Sequence, residues 1–271
     1  MLSLALDCYS AAPQPAAIDL AKQFFIMYGR EEGMVEPLRA LLAQLAGITL
    51  ATVQAAPSLS DQADLIDCFY SMLGQVLKKQ PGLFLHPGLP SPSLLGLATS
   101  CLAMPEQHPV KSVASFLSQL VSVSREVEPL APLVNTHGEQ MFLAVIRCIG
   151  GAASRSYIDY FTDVLLALNK KYFDNLCRSP WKHKCPSAPA PALALPSAPA
   201  PAPSRYMNTM VGMENFPTEL CTREAKEQFA RAVLKERANK RKLQETVREF
   251  SLLSRGLLGS EYAAQLVQLG L

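Results

Sequence analysis

Amphipathic, helix-forming stretches recur along this chain at intervals of 45, 47 and 47 residues, beginning near Ile18, Ala63, Val110 and Tyr157. A second apolar stretch follows near Leu38, Leu94 and Met141. A helix pair returning at roughly 40 to 47 residues is the mark of a HEAT-type solenoid. One such pair cannot bury its apolar face alone, so neighbouring pairs must stack. The product is a long surface suited to holding partners, not a closed pocket for chemistry. The expected fold is therefore all-α: an α-solenoid of HEAT-type helix pairs.

Individual helices can be placed by spacing and by punctuation. Leu20, Phe24 and Met27 share one face at i, i+4 and i+7, and Leu38 to Val53 reads as a long, mostly buried helix. Leu65, Ile66, Phe69, Tyr70, Leu73 and Leu77 form the next stripe, with Asp64, Asp67, Lys78 and Lys79 on its wet side and Ser60-Asp61 as its cap. Ser91-Pro92 reads as an N-cap followed by proline in the first turn, and Pro109 repeats the device before Val110. Thr136 to Glu139 has the spacing of a capping box ahead of Met141–Ile149, and Gly150-Gly151 should end that helix. Ser156 and Asp159 open the next one, which turns Ile158, Phe161, Leu165 and Leu168 inward. No alternating β-branched segment of useful length interrupts the series.

The pattern breaks at Ser179. PSAPAPA occurs at Pro186–Ala192 and again at Pro196–Ala202, and seven prolines between Pro186 and Ser204 forbid a regular helix. The tract reads as an inert insertion in a repeat array; the alternative is a tether or a ligand for proline-binding modules. Helical patterns resume with Phe229, Val233 and Leu234, then Leu243, Val247, Phe250, Leu253 and Leu257. The expected organisation is a solenoid over 1–178, a Pro/Ala/Ser-rich disordered linker over 179–212, and a C-terminal helix pair over 213–271.

Net charge is only +2, but Thr222 to Gly256 carries ten basic against five acidic residues. That segment is +5 and the rest of the chain −3. Its run Lys235–Lys242 is the obvious nucleic-acid candidate, but Glu236 and Glu245 partly neutralise it and few aromatics interleave for base stacking. It reads as a solvated helix face and turn, with no direct nucleic-acid binding expected. Seven scattered cysteines, an odd number, fit free thiols in a reducing compartment better than a disulfide framework. The first residues lack a basic n-region and include Asp7, a poor signal peptide. The longest apolar run, Leu41–Val53, contains Gln44 and falls short of the roughly 20 residues a bilayer needs, so no membrane insertion is expected.

No nucleophile elbow, P-loop, H-E-x-x-H or dinucleotide fingerprint occurs. Cys177, His183 and Cys185 crowd together but fall one short of a zinc set. No catalytic residue, cofactor or metal is expected, and the chain does not read as an enzyme. Arg147, inside an apolar helix, and Arg155, in the turn after it, stand out as candidate partner-binding residues. They could hold acidic partners by bidentate contacts. Equally, they could pair internally with Asp159 or Asp163.

Four strings carry a resemblance: GGAASRS at Gly150–Ser156, YFTDVLLALNK at Tyr160–Lys170, LKERANKRK at Leu234–Lys242 and LLSRGL at Leu252–Leu257. They resemble the last repeats and C-terminus of a member of the importin-β (karyopherin) family of nuclear transport receptors. A weaker likeness runs from Leu20 to Arg178 and from Met213 to Tyr262. The resemblance implies carriage of protein cargo through nuclear pores under control of the GTPase Ran, with hydrophobic grooves accepting nucleoporin repeats. It implies shuttling between cytoplasm and nucleus. The family's Ran-binding region lies in N-terminal repeats, to which nothing here corresponds, so the likeness is to a C-terminal portion. The alternative is a HEAT-repeat scaffold without transport activity.

Overall fold

A computed structural model describes residues 2–177 and 206–260. Every regular element among them is helical. In chain order the α-helices are α1 (Leu2–Ala11), α2 (Pro15–Tyr28), α3 (Val35–Ala55), α4 (Ala63–Lys79), α5 (Ser91–Cys101) and α6 (Gln107–Val123). There follow α7 (Ala131–Arg147), α8 (Ile158–Lys171), α9 (Phe173–Cys177), α10 (Tyr206–Gly212), α11 (Arg223–Lys235) and α12 (Lys240–Ser254).

The helices stack in two layers. In one, α2 lies on α4, α4 on α6, α6 on α8 and α8 on α12; in the other, α1, α3, α5, α7 and α10 follow one another. This is the HEAT-type solenoid, with the recurring starts at α2, α4, α6 and α8 and the second stretches at α3, α5 and α7. Polar bonds between successive helices keep the same interval. Ser112 donates to Asp67, Ser118 to the Asp163 carbonyl at 3.4 Å, and Arg125 Nε to the Lys171 carbonyl at 2.8 Å, across 45, 45 and 46 residues.

Helix α4 shows why the stack holds. Leu65, Ile66, Phe69, Tyr70, Met72, Leu73, Val76 and Leu77 are all buried, because neighbours cover three sides. Full burial of each such side chain contributes about 1.5–3 kcal/mol as an upper figure. The Tyr70 hydroxyl still needs a partner and donates to the Leu94 carbonyl of α5 at 2.8 Å.

Several local expectations move. On α2 the buried stripe is Ile18, Ala21 and Phe25, whereas Leu20 and Met27 are exposed and Phe24 is half-buried. The capping residue ahead of α4 is Ser58, not Ser60: its hydroxyl accepts from Ser60 N and its own N–H donates to Asp61 Oδ2, both at 3.2 Å. Ser91 is already the first residue of α5 and caps nothing. Thr136–Glu139 lies inside α7, which begins at Ala131 behind a proline-containing turn. Gly150-Gly151 does end α7, through a wide turn at Cys148–Ala152 in which Gly151 takes φ 148, a value that side-chain-bearing residues rarely adopt.

Two boundaries change as well. The expected linker reached 212, but Tyr206–Gly212 is helical, and Tyr206, Met207 and Met210 are buried. Tyr206 packs on Gly138, where a Cβ would lie 2.5 Å from its hydroxyl, and on the Phe142 ring at 6.0 Å. The rest of the expected linker, 179–205, lies outside the described residues. The stretch Glu32–Ala55, which includes α3, is long and apolar enough to cross a membrane by length and composition, unlike the shorter run read from sequence. Half of its most apolar 18-residue window is buried here; Thr49, for one, is fully enclosed and its hydroxyl pairs with Tyr9 at 2.7 Å.

Candidate interaction surface

The two arginines singled out by sequence flank the turn that closes α7. Arg147 ends the helix, is exposed, and holds its guanidinium 5.7 Å from the centre of the Phe216 ring. Arg155 opens the short 3₁₀ turn Arg155–Tyr157 and is half-buried. Ser154 caps that turn by accepting from Ser156 N. Arg147 is thus exposed at the bend, whereas Arg155 is half-buried with its Nε enclosed.

The bend is tied to the last helix. Ser251 of α12 donates to the Ile149 carbonyl at 2.8 Å. Arg255 Nη2 donates to the Ala153 carbonyl at 2.6 Å and reaches the Cys148 carbonyl at 3.5 Å. Gly150 meets Pro217 so closely that a Cβ there would fall 2.4 Å from the proline ring. Arg147 and Arg255 make the surroundings of Cys148 electropositive. Burial nonetheless dominates, pushing its thiol up to about 12 while the two arginines pull the other way. The exposed guanidinium of Arg147 is a planar donor of the kind that binds carboxylates bidentately.

Neither acid proposed as an internal partner is idle. Asp159 is engaged by Arg248 of α12, with Nη2 at 3.3 and 3.4 Å from its two oxygens, and Asp163 pairs with Lys240 at 2.6 Å. Those basic residues come from the +5 segment, so its positive charge docks on the −3 remainder. Other members make uncharged contacts or pair within the segment itself. Buried Lys226 donates to the Met213 carbonyl at 2.5 Å, and Arg237 stacks on Phe173. Arg223 and Arg231 both reach Glu227 at 3.3 Å, within α11. The run Lys235–Lys242 is the solvated face expected of it, with all five of its basic residues exposed, although Lys240 also pairs with Asp163 and Arg237 stacks on Phe173.

A polar clamp joins α8 to α11. Asn169, fully buried, donates from Nδ2 to the Val233 carbonyl at 2.6 Å and to Glu236 O at 3.4 Å. Below it, Phe229 and Phe250 stack with centres 3.9 Å apart.

Among the described residues no group of three His, Cys, Asp or Glu is placed to hold a metal. His183, Cys185 and the side chain of Cys177 lie outside the described part. Cys68, Cys101, Cys148 and Cys221 are free thiols. Burial pushes Cys101 up to about 12, and burial with the nearby Asp19 and Asp67 charges pushes Cys68 up to about 11.

These features define the class: a HEAT-type α-solenoid whose functional parts are surfaces. Residues 102–176 match the family model for the importin 13 repeat. Over 256 residues, 94% of this chain, the sequence is 35% identical to importin-13 of Bos taurus and 34% identical to that of Homo sapiens. A solved structure of importin-13 in its cytosolic state superposes with a TM-score of 0.75 at 25% identity, over 90% of this chain and 25% of that one. The chain is importin-13-like along almost its whole length. It spans about a quarter of the length of the relatives it matches. Those relatives are importins, transport receptors and not enzymes.

Proposed function

We propose that this chain works as the C-terminal part of a karyopherin-type nuclear transport receptor that carries protein cargo through the nuclear pore under control of Ran. The observation that carries this reading is the importin-13 likeness over 94% of the chain. A two-layer stack among the described residues supports it, since such arrays supply extended surfaces for folded partners. Arg147 and Arg155, at the bend that α12 braces, are the residues we assign to acidic groups on cargo. Hydrophobic grooves between helices accept nucleoporin repeats, and the receptor shuttles between cytoplasm and nucleus. The Ran-binding repeats belong to a part of the receptor outside these residues. The proline-rich tract is an insertion in a solenoid that continues from α8 to α12.

The test is capture of the intact cellular polypeptide with an antibody against residues 206–260. Its mass on an immunoblot should be several times 29.5 kDa, and Ran-GTP should release the protein cargo that comes with it. Retention of every partner in the presence of Ran-GTP overturns the transport reading and leaves a scaffold without transport activity.

A further inference from the structure

The C-terminal end of α8 gathers cations from three parts of the chain. Tyr172 and Phe173, consecutive residues there, each lie under a guanidinium. Arg125, just after α6, sits 4.2 Å from the centre of the Tyr172 ring, and Arg237, in the turn between α11 and α12, stacks on Phe173. The Tyr172 ring is buried and its hydroxyl pairs with Ser124 Oγ at 2.6 Å. Arg125 is held further by the bond from its Nε to the Lys171 carbonyl. The turn that carries Arg237 is held by Asn169, which donates to Glu236 O. Both arginines are exposed, so their guanidinium groups are positioned before any partner arrives.

Lys170 adjoins Asn169, Lys235 adjoins Glu236, and Lys242 lies in the first turn of α12; all three are exposed. Most carboxylates nearby are taken. Glu126 pairs with Lys171 at 3.3 Å, Asp163 with Lys240 at 2.6 Å and Glu245 with Arg241 at 3.6 Å. Glu236 and Asp174 are left, and among the described residues neither pairs with any of the five cations. The ordinary task of a basic residue at a helix C-terminus is to meet the last carbonyls. At α11 Asn169 already does so, at Val233 O and Glu236 O.

A guanidinium stacked on a ring keeps its N–H edge for a carboxylate or a phosphate. Nucleic-acid bases find no open ring at this corner, because Tyr172 is buried and Phe173 lies under Arg237. Nor does it offer apolar side chains to a lipid surface. The exposed large ones, Leu20, Ile26, Met27, Leu85, Leu220 and Leu258, all belong to other parts of the chain.

We propose that Arg125, Arg237, Lys170, Lys235 and Lys242 form a docking site for an acidic, carboxylate-rich segment of a partner protein. It lies at the opposite end of α8 from Arg147 and Arg155, about 20 Å away along a 14-residue helix. The choice of a protein partner rests on the transport-receptor reading. Its test uses neither Ran nor cargo, so the two can fail separately.

The 271-residue chain is titrated into a fluorescein-labelled peptide of alternating Glu and Asp, and binding is read by fluorescence anisotropy. Saturable binding is expected, weakening as salt rises. Lys170→Gln, Lys235→Gln and Lys242→Gln together should weaken it roughly tenfold. The same change at Arg30, Lys79 and Lys111, exposed cations on other helices, should cost less than about twofold. Arg125→Lys with Arg237→Lys keeps the charge but not the planar fork, and should weaken binding about threefold or more. Circular dichroism checks that each variant stays folded. Absence of saturable binding at low salt overturns the proposal, as does an equal loss in the two glutamine triples or full affinity in the lysine pair. A single-stranded RNA of equal charge, or vesicles holding anionic lipid, that binds more tightly than the peptide overturns the choice of partner.

Discussion

Asn169 is a sensitive point in the joint between the repeat array and its last helices. Its amide donates to Val233 O and Glu236 O at the end of α11, in a fully buried site, while its Oδ1 is enclosed without a hydrogen-bond partner. Asn169→Ala removes the donor and should cost about 1–3 kcal/mol, or about 3–9 °C in melting temperature for a chain of this size. Asn169→Asp keeps the shape but replaces the donor with a carboxylate facing two carbonyl oxygens. Ionised, it cannot donate, and an unpaired buried charge costs about 3–5 kcal/mol. Burial and the carbonyls raise the folded-state pKa of that carboxyl above its unfolded value near 4. The protonated acid can donate, so the variant's relative stability is fully present below about pH 4 and is lost as pH rises through the folded pKa. Thermal unfolding followed by circular dichroism across this range, together with hydrogen exchange in α11 and α12, measures both effects. The reasoning is refuted if the Asp deficit is no larger than the Ala deficit at neutral pH, or if it does not shrink on acidification.

Other consequences follow from the same joint. Gly150→Val forces a side chain into Pro217 and should destabilise by about 1–3 kcal/mol, read as faster exchange in residues 213–221 with α4 and α6 unaffected. Tyr206→Ala should cost about 3–5 kcal/mol, since the residue fills the space over Gly138 and Phe142; a neutral result would put α10 outside the array. Arg248→Ala breaks a partly exposed pair with Asp159 and should cost under about 1 kcal/mol, less in high salt. With thiols pushed up to about 11 and about 12, Cys68 and then Cys101 and Cys148 should alkylate far more slowly at pH 8 than a free thiol, the rates rising with pH.

The repeat was legible because α2, α4, α6 and α8 each carry an apolar stripe that must be buried, and burial requires a neighbour at a fixed interval. Which stripe turns inward on α2 was not legible. Ile18, Ala21 and Phe25 compete with Leu20, Phe24 and Met27 on a helix that is apolar nearly all round, and only the position of α4 decides. Caps were misplaced by two residues because Ser58 and Ser60 are equivalent as local chemistry. The capping-box spacing at Thr136–Glu139 was a coincidence within a helix, and Gly138 is small because Tyr206 packs on it. Arg147 and Arg155 were visible as charges in an apolar setting. What braces them was not, since Arg248 meets Asp159 across 89 residues and Arg255 meets Ala153 across 102. Such pairings depend on the tertiary fold, and local periodicity carries no record of them.

The most direct test of the transport account places the fluorescently labelled full-length receptor, with its co-purified cargo, on permeabilised cells supplied with Ran and GTP. The account predicts accumulation at the nuclear rim and entry of cargo into nuclei, both weakened when Arg147 and Arg155 are changed to glutamate. Exclusion of the receptor from the rim and the nucleus, with cargo still bound, would contradict it.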